Sequence, residues 1–172
     1  QLELSGGTVS SGQGYLTEFL YDDTNNLRAT TAHGQRLDSL TGTETLKTLH
    51  DAAVAAPTTP ARVSQRAFNA LGQLVTETNY EGTVTSYTYD EAGRLVRTSY
   101  ATNGAASEVR DDYKRYDVFG NLIGELDGEG AVSAGGAALL TITDQTQLNA
   151  LYATYGVTHS YDLVGRRTES TD

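Results

Sequence analysis

The chain has 172 residues, a net charge of −10 and 38% hydrophobic residues, and its aromatics are mostly tyrosine (Tyr 11, Phe 3, Trp 0). Lysine occurs only at Lys47 and Lys114, so no basic face is available for nucleic acid or an anionic membrane. Cysteine is absent, which excludes disulfides, thiol nucleophiles and cysteine-based zinc sites, and no apolar run is long enough to span a membrane.

In chain order, one short pattern dominates: aromatic, Asp or Asn, two variable residues, Gly or Asn, one variable residue, Leu. It first appears over 21–27, where Tyr21 and Asp22 precede Asn25 and Leu27. A helical insert is predicted next, over about 43–56. Thr41 to Glu44 reads as a capping box, Leu46, Leu49, Ala53 and Val54 form an apolar stripe, and Pro57 and Pro60 stop it. The second copy covers 68–74 (Phe68, Asn69, Gly72) and the third 89–95 (Tyr89, Asp90, Gly93). The fourth copy, at 116–122, carries Tyr116, Asp117 and Gly120. A second insert is predicted over 144–155, starting at Asp144 and Gln147. Its face is Leu148, Leu151, Tyr152 and Tyr155, and Gly156 ends it. The fifth copy, at 161–167, has Tyr161, Asp162 and Gly165, with Arg167 in place of leucine.

Each copy reads as a β-hairpin. The acid or amide opens a type I turn by accepting backbone N–H bonds, and glycine closes it in the left-handed conformation as a bulge. Asparagine is the next-best residue for a positive φ, which suits Asn25. A longer period lies above this one: Tyr21 and Tyr116 stand 95 positions apart, Phe68 and Tyr161 93. The organisation expected is a first repeat unit over 1–115 and a second, incomplete unit over 116–172, in an array that continues beyond the segment. The fold class expected is mainly β: tandem hairpins forming an extended, coiled sheet with two short helical inserts.

The stretch from Asn79 to Leu95 resembles the YD repeat of RHS proteins, and the other copies match it more loosely. That family includes shell subunits of bacterial toxin complexes, wall-associated bacterial proteins and the animal teneurins. The resemblance implies a long sheet of hairpins coiled into a hollow shell, which in toxin members encloses a C-terminal toxic domain. It also implies a secreted or cell-surface, bacterial setting. The partners expected are neighbouring repeats or identical subunits, with an encapsulated toxin domain or surface glycans as further candidates. No nucleic acid and no membrane insertion are expected.

The residue chemistry points away from catalysis. Acids or amides recur at equivalent places, whereas an active site needs one constellation of unlike groups. His33, His50 and His159 are not at metal-ligand spacings and read as surface or boundary residues. The carboxylates at Asp22-Asp23, at Asp111-Asp112 and from Asp127 to Gly130 could suggest calcium; the last cluster is the best candidate, but it lacks the alternating ligand order of a calcium loop and reads as turn chemistry. The expectation is therefore a structural module with no enzyme activity, cofactor or metal. Shell, fibre and carbohydrate-binding adhesin stand as competing roles, the last because exposed tyrosines such as Tyr87 and Tyr89 can stack on sugars.

Overall fold

The structure, a computed structural model, describes residues 12–55, 57, 59–101 and 109–172. The chain divides into two compact units, Gln1–Val84 and Thr85–Asp172. It is mainly β, with ten strands among the described residues, each antiparallel hairpin following the last in sequence order within its unit.

The first unit holds β1 (Gly12–Tyr21), β2 (Leu27–Leu40), α1 (Leu46–Ala55), β3 (Arg62–Phe68) and β4 (Leu74–Thr78). β2 is long enough to serve two neighbours. Its first part pairs with β3 from Ala29↔Gln65 to Ala32↔Arg62, while β1 pairs along its length. Leu37 of β2 packs with Leu49 and Ala53 of α1, and Leu16 and Leu40 flank them. The stripe expected on α1 is therefore narrower: Leu49 and Ala53 are buried, whereas Leu46 and Val54 stay exposed. The cap also lies four positions later than the expected Thr41. Thr45 is the residue that caps the helix, its Oγ1 accepting from Thr48 N–H at 3.2 Å. Glu44 instead folds back on its own loop, accepting from the Thr41 N–H and hydroxyl and the Gly42 N–H. The Thr41 N–H foremost holds its carboxyl at about 2.

The second unit holds β5 (Val84–Tyr89) from its second residue onward, β6 (Leu95–Ala101), β7 (Val109–Tyr116) and β8 (Leu122–Leu126). An insert follows, and then β9 (Val157–Tyr161) and β10 (Arg167–Thr171). This insert is larger than the sequence suggests. Ahead of α3 (Gln145–Tyr155) stand α2 (Gly128–Ser133) and a 3-10 segment, Gly136–Thr141. Asp127 opens α2 by accepting from Gly130 N–H at 2.8 Å, so the Asp127–Gly130 cluster is a helix start and not a turn. Glycine is required at 130 because a Cβ there would collide with the Tyr155 carbonyl oxygen. Gly156, after α3, is extended (φ −149) and not left-handed; a Cβ there would strike the Glu125 carbonyl oxygen.

The buried core lies under the inserts. In the second unit it comprises Tyr113, Leu126, Ala131, Ala134, Leu139, Leu148 and Tyr152. Tyr113 and Leu126 are register partners on β7 and β8, and they are the largest fully buried side chains. The Tyr152 ring packs on Gly124 of β8, whose missing Cβ makes the room: one placed there would come within 2.7 Å of the ring. The repeat-motif aromatics Tyr21, Phe68, Tyr89, Tyr116 and Tyr161 are only half-buried. The helical inserts thus supply much of the buried packing.

Candidate functional site

The repeated turns are the most regular feature of the molecule. In each, the backbone N–H of the opening Asp or Asn donates to the carbonyl four residues on, and its own carbonyl accepts from the N–H three residues on. For Asp22 these are Asn26 and Asn25 (3.0 and 3.0 Å), for Asn69 Gln73 and Gly72 (2.9 and 3.0 Å). For Asp90 they are Arg94 and Gly93 (2.9 and 2.9 Å), for Asp117 Asn121 and Gly120 (2.9 and 3.1 Å). For Asp162 they are Arg166 and Gly165 (2.9 and 3.0 Å). Asn25, Gly72, Gly93, Gly120 and Gly165 all have positive φ, between 64° and 90°.

The side chain of the opening residue completes the turn. One oxygen accepts two backbone N–H groups, from positions two and four further on. Asp22 Oδ1 takes Thr24 and Asn26 at 3.0 and 2.9 Å; Asn69 Oδ1 takes Leu71 and Gln73 at 3.0 and 3.0 Å. Asp90, Asp117 and Asp162 repeat the arrangement with Ala92 and Arg94, Phe119 and Asn121, and Val164 and Arg166. Across the bulge the motif aromatic faces the motif leucine: Tyr21↔Leu27, Phe68↔Leu74 and Tyr116↔Leu122. In the last hairpin Arg167 pairs with Tyr161 in leucine's place.

Two features escape the sequence pattern. A sixth turn of the same geometry opens at Asn79, whose Oδ1 accepts from Glu81 and Thr83 at 2.9 and 3.0 Å, with Gly82 at φ 83°. Its frame positions are Thr78 and Val84 and not an aromatic and a leucine; only the Asn-x-x-Gly spacing could have revealed it. The position before the leucine, moreover, is not free to vary. Asn26, Arg94, Asn121 and Arg166 donate to the second carboxylate oxygen of Asp22, Asp90, Asp117 and Asp162, at 3.3, 2.7, 2.8 and 2.7 Å. Where the opener is Asn69, the polarity reverses and its Nδ2 donates to Gln73 Oε1 at 2.8 Å.

These bonds favour the charged form of the acids. The Asn26 backbone N–H, followed by the Thr24 hydroxyl, holds Asp22 at about 2. The Asn121 amide chiefly lowers Asp117, and the Arg166 backbone N–H chiefly lowers Asp162. At Asp90 partial desolvation pushes upward, but Arg94 outweighs it and the net direction is down. Arg94 also reaches the next turn. Its Nη1 donates to the Asp117 carbonyl at 2.7 Å, and its guanidinium lies 5.0 Å from the centre of the Tyr116 ring. One side chain therefore closes its own hairpin and ties it to the following one. One carboxylate of each cluster considered for calcium is engaged likewise: Asp22 in its turn, Asp111 with Arg97 Nη2 at 2.7 Å, and Asp127 at the α2 cap.

His33 departs from its sequence reading, whereas His50 and His159 are half-buried, as boundary residues are. His33 is buried, and both His33 and His50 meet Glu18: His33 Nε2 lies 2.8 Å from Oε2 and His50 Nδ1 2.5 Å from Oε1. His159 lies in the second unit, 2.9 Å from Ser170 Oγ and 3.5 Å from Glu125 Oε2.

The RHS Repeat family model matches residues 68–106. No curated protein matches the chain. Among solved structures, the TcdB2-TccC3-Cdc42 crystal structure is similar over 90% of this chain and 6% of its own, with TM-score 0.55 and 16% identity. The Photorhabdus luminescens Tc holotoxin pore carrying TccC3-D651A is similar over 91% of this chain and 6% of its own, with TM-score 0.54 and 17% identity. The likeness is one of fold, and the chain spans a small fraction of either protein's length.

Proposed function

We infer that this chain, an RHS/YD-repeat protein of mainly β structure, is a stretch of wall in a larger β-sheet shell, displayed or secreted by a bacterium. Its work is structural: the hairpins supply continuous antiparallel pairing, and the inserts thicken the wall where they pack. The repeat units proposed are those set by the spacing of about 95 residues, with one insert after β2 and its counterpart after β8. The Asp and Asn turn openers act as hairpin closers and not as acids or bases.

The observation that carries this reading is the recurrence of one turn geometry at six places, joined at one of them to the following hairpin by Arg94. A catalytic centre would draw unlike residues to one point; here like residues are spread along the chain, each satisfied locally. The likeness of fold to toxin-complex structures favours a shell over a fibre. No helix among the described residues is long and apolar enough to cross a membrane. The test is electron microscopy of the full-length parent protein. A closed, hollow particle is expected; an unbranched thread would overturn the shell in favour of a fibre.

A further inference from the structure

We propose that Glu18, His33 and His50 form a binding site for a zinc-class transition-metal dication, which fastens the first helical insert to its sheet. The three residues come from β1, β2 and α1, so only the fold brings them together. One ligand atom from each lies within 4.8 Å of the other two. The imidazoles stand edge-on at 86°, with centroids 6.0 Å apart, so their ring nitrogens converge on one carboxylate without stacking.

The donor set suits the metal class. Two imidazole nitrogens and a carboxylate favour zinc and its neighbours over calcium or magnesium, which prefer all-oxygen shells. Metal–ligand bonds of about 2.0–2.2 Å in a tetrahedral site put donor atoms roughly 3.3–3.5 Å apart. The present contacts of 2.8 and 2.5 Å, one to each oxygen of the Glu18 carboxylate, would open to that spacing while the two nitrogens, now within 4.8 Å of each other, draw together. His33 would bind through Nε2 and His50 through Nδ1, leaving the protons on the opposite ring nitrogens. The side chains of His33 and Glu18 are 6% and 11% accessible, whereas that of His50 is 38% accessible. The site therefore has a sealed floor and one open side, where a water molecule would be the fourth ligand.

The two inserts differ in a way that makes such a clip useful. The second is held by a seven-residue core, but the first by Leu37, Leu49 and Ala53 among the described residues. A polar cluster stands where the second unit has apolar packing, and a ten-residue helix with so little burial gains from a cross-link.

The test is calorimetric titration of the metal-free 172-residue chain with Zn2+, and separately with Co2+ followed by visible absorption. One Zn2+ per chain with micromolar or tighter affinity is expected, together with tetrahedral Co2+ bands and a raised melting temperature. His50→Ala, at the exposed ligand, should keep the fold and weaken binding at least tenfold, and Glu18→Gln should do the same. His159→Ala, in the other unit, should leave binding unchanged. A folded chain that takes up no zinc would show that the two histidines only share protons with Glu18, and would overturn the proposal. So would zinc binding that survives His50→Ala.

Discussion

At the residue scale the turns separate two jobs that the sequence merges in one acidic position: accepting backbone N–H groups and carrying charge. Asn69 does the first without the second, since its carboxamide oxygen holds the Leu71 and Gln73 amides. Asn69→Ala should therefore cost about 1–2 kcal/mol in chemical denaturation, the net value of two lost hydrogen bonds with some solvent replacement. At Gly72, with φ 76° and nothing near the missing Cβ, the cost of a side chain is conformational alone. Gly72→Val should destabilise by roughly 1–2 kcal/mol, and Gly72→Asn by clearly less, as Asn25 already adopts this conformation in the first turn.

The same contrast fixes a pH dependence. Asp22 has a folded-state value near 2 against an ordinary 3.8, so the stability it lends is complete above about pH 4 and is lost as pH falls through 2. In an NMR titration the Thr24 and Asn26 amides should shift with a midpoint near 2, while the Leu71 and Gln73 amides should stay flat. Parallel movement of all four would mean that the unit unfolds as a whole before the turn titrates.

At the element scale the large buried side chains gather where an insert covers its strands, Tyr113 and Leu126 from β7 and β8 meeting Tyr152 from α3. Tyr152 is nearly inaccessible, and desolvation pushes its hydroxyl up to about 12, with Arg115 pulling the other way from 5.1 Å over the ring. Tyr152→Ala should cost about 3–5 kcal/mol, the range for removing a large buried aromatic. Gly124→Val should eject the same ring, and the two changes should couple strongly in a double-mutant cycle.

Legibility from sequence also divides at this scale. Hairpins with an aromatic before the acid and a leucine after the bulge can be read directly, because every determinant is local. The Asn79 turn lacks that frame and is visible only by its asparagine-to-glycine spacing. α2 and the 3-10 segment are obscured because Gly128, Gly130, Gly135 and Gly136 look like loop residues. At Gly130 the cause is tertiary, the close approach of the Tyr155 carbonyl. The meeting of His33 and His50 at Glu18 is tertiary as well, the partners lying 15 and 32 positions from the glutamate.

At the scale of the whole molecule, stability in a tandem array is a sum of weak units and their couplings. Arg94 is such a coupling, since it bonds Asp90 in its own turn and the Asp117 carbonyl in the next. The measurement that bears most directly on the account is chemical denaturation of a truncation series that removes one hairpin at a time, in wild-type and Arg94→Ala backgrounds. Midpoints should climb with each hairpin added, and the increment for the hairpin opened by Asp117 should shrink when Arg94 is absent. A single hairpin pair as stable as the full chain, or increments indifferent to Arg94, would contradict it.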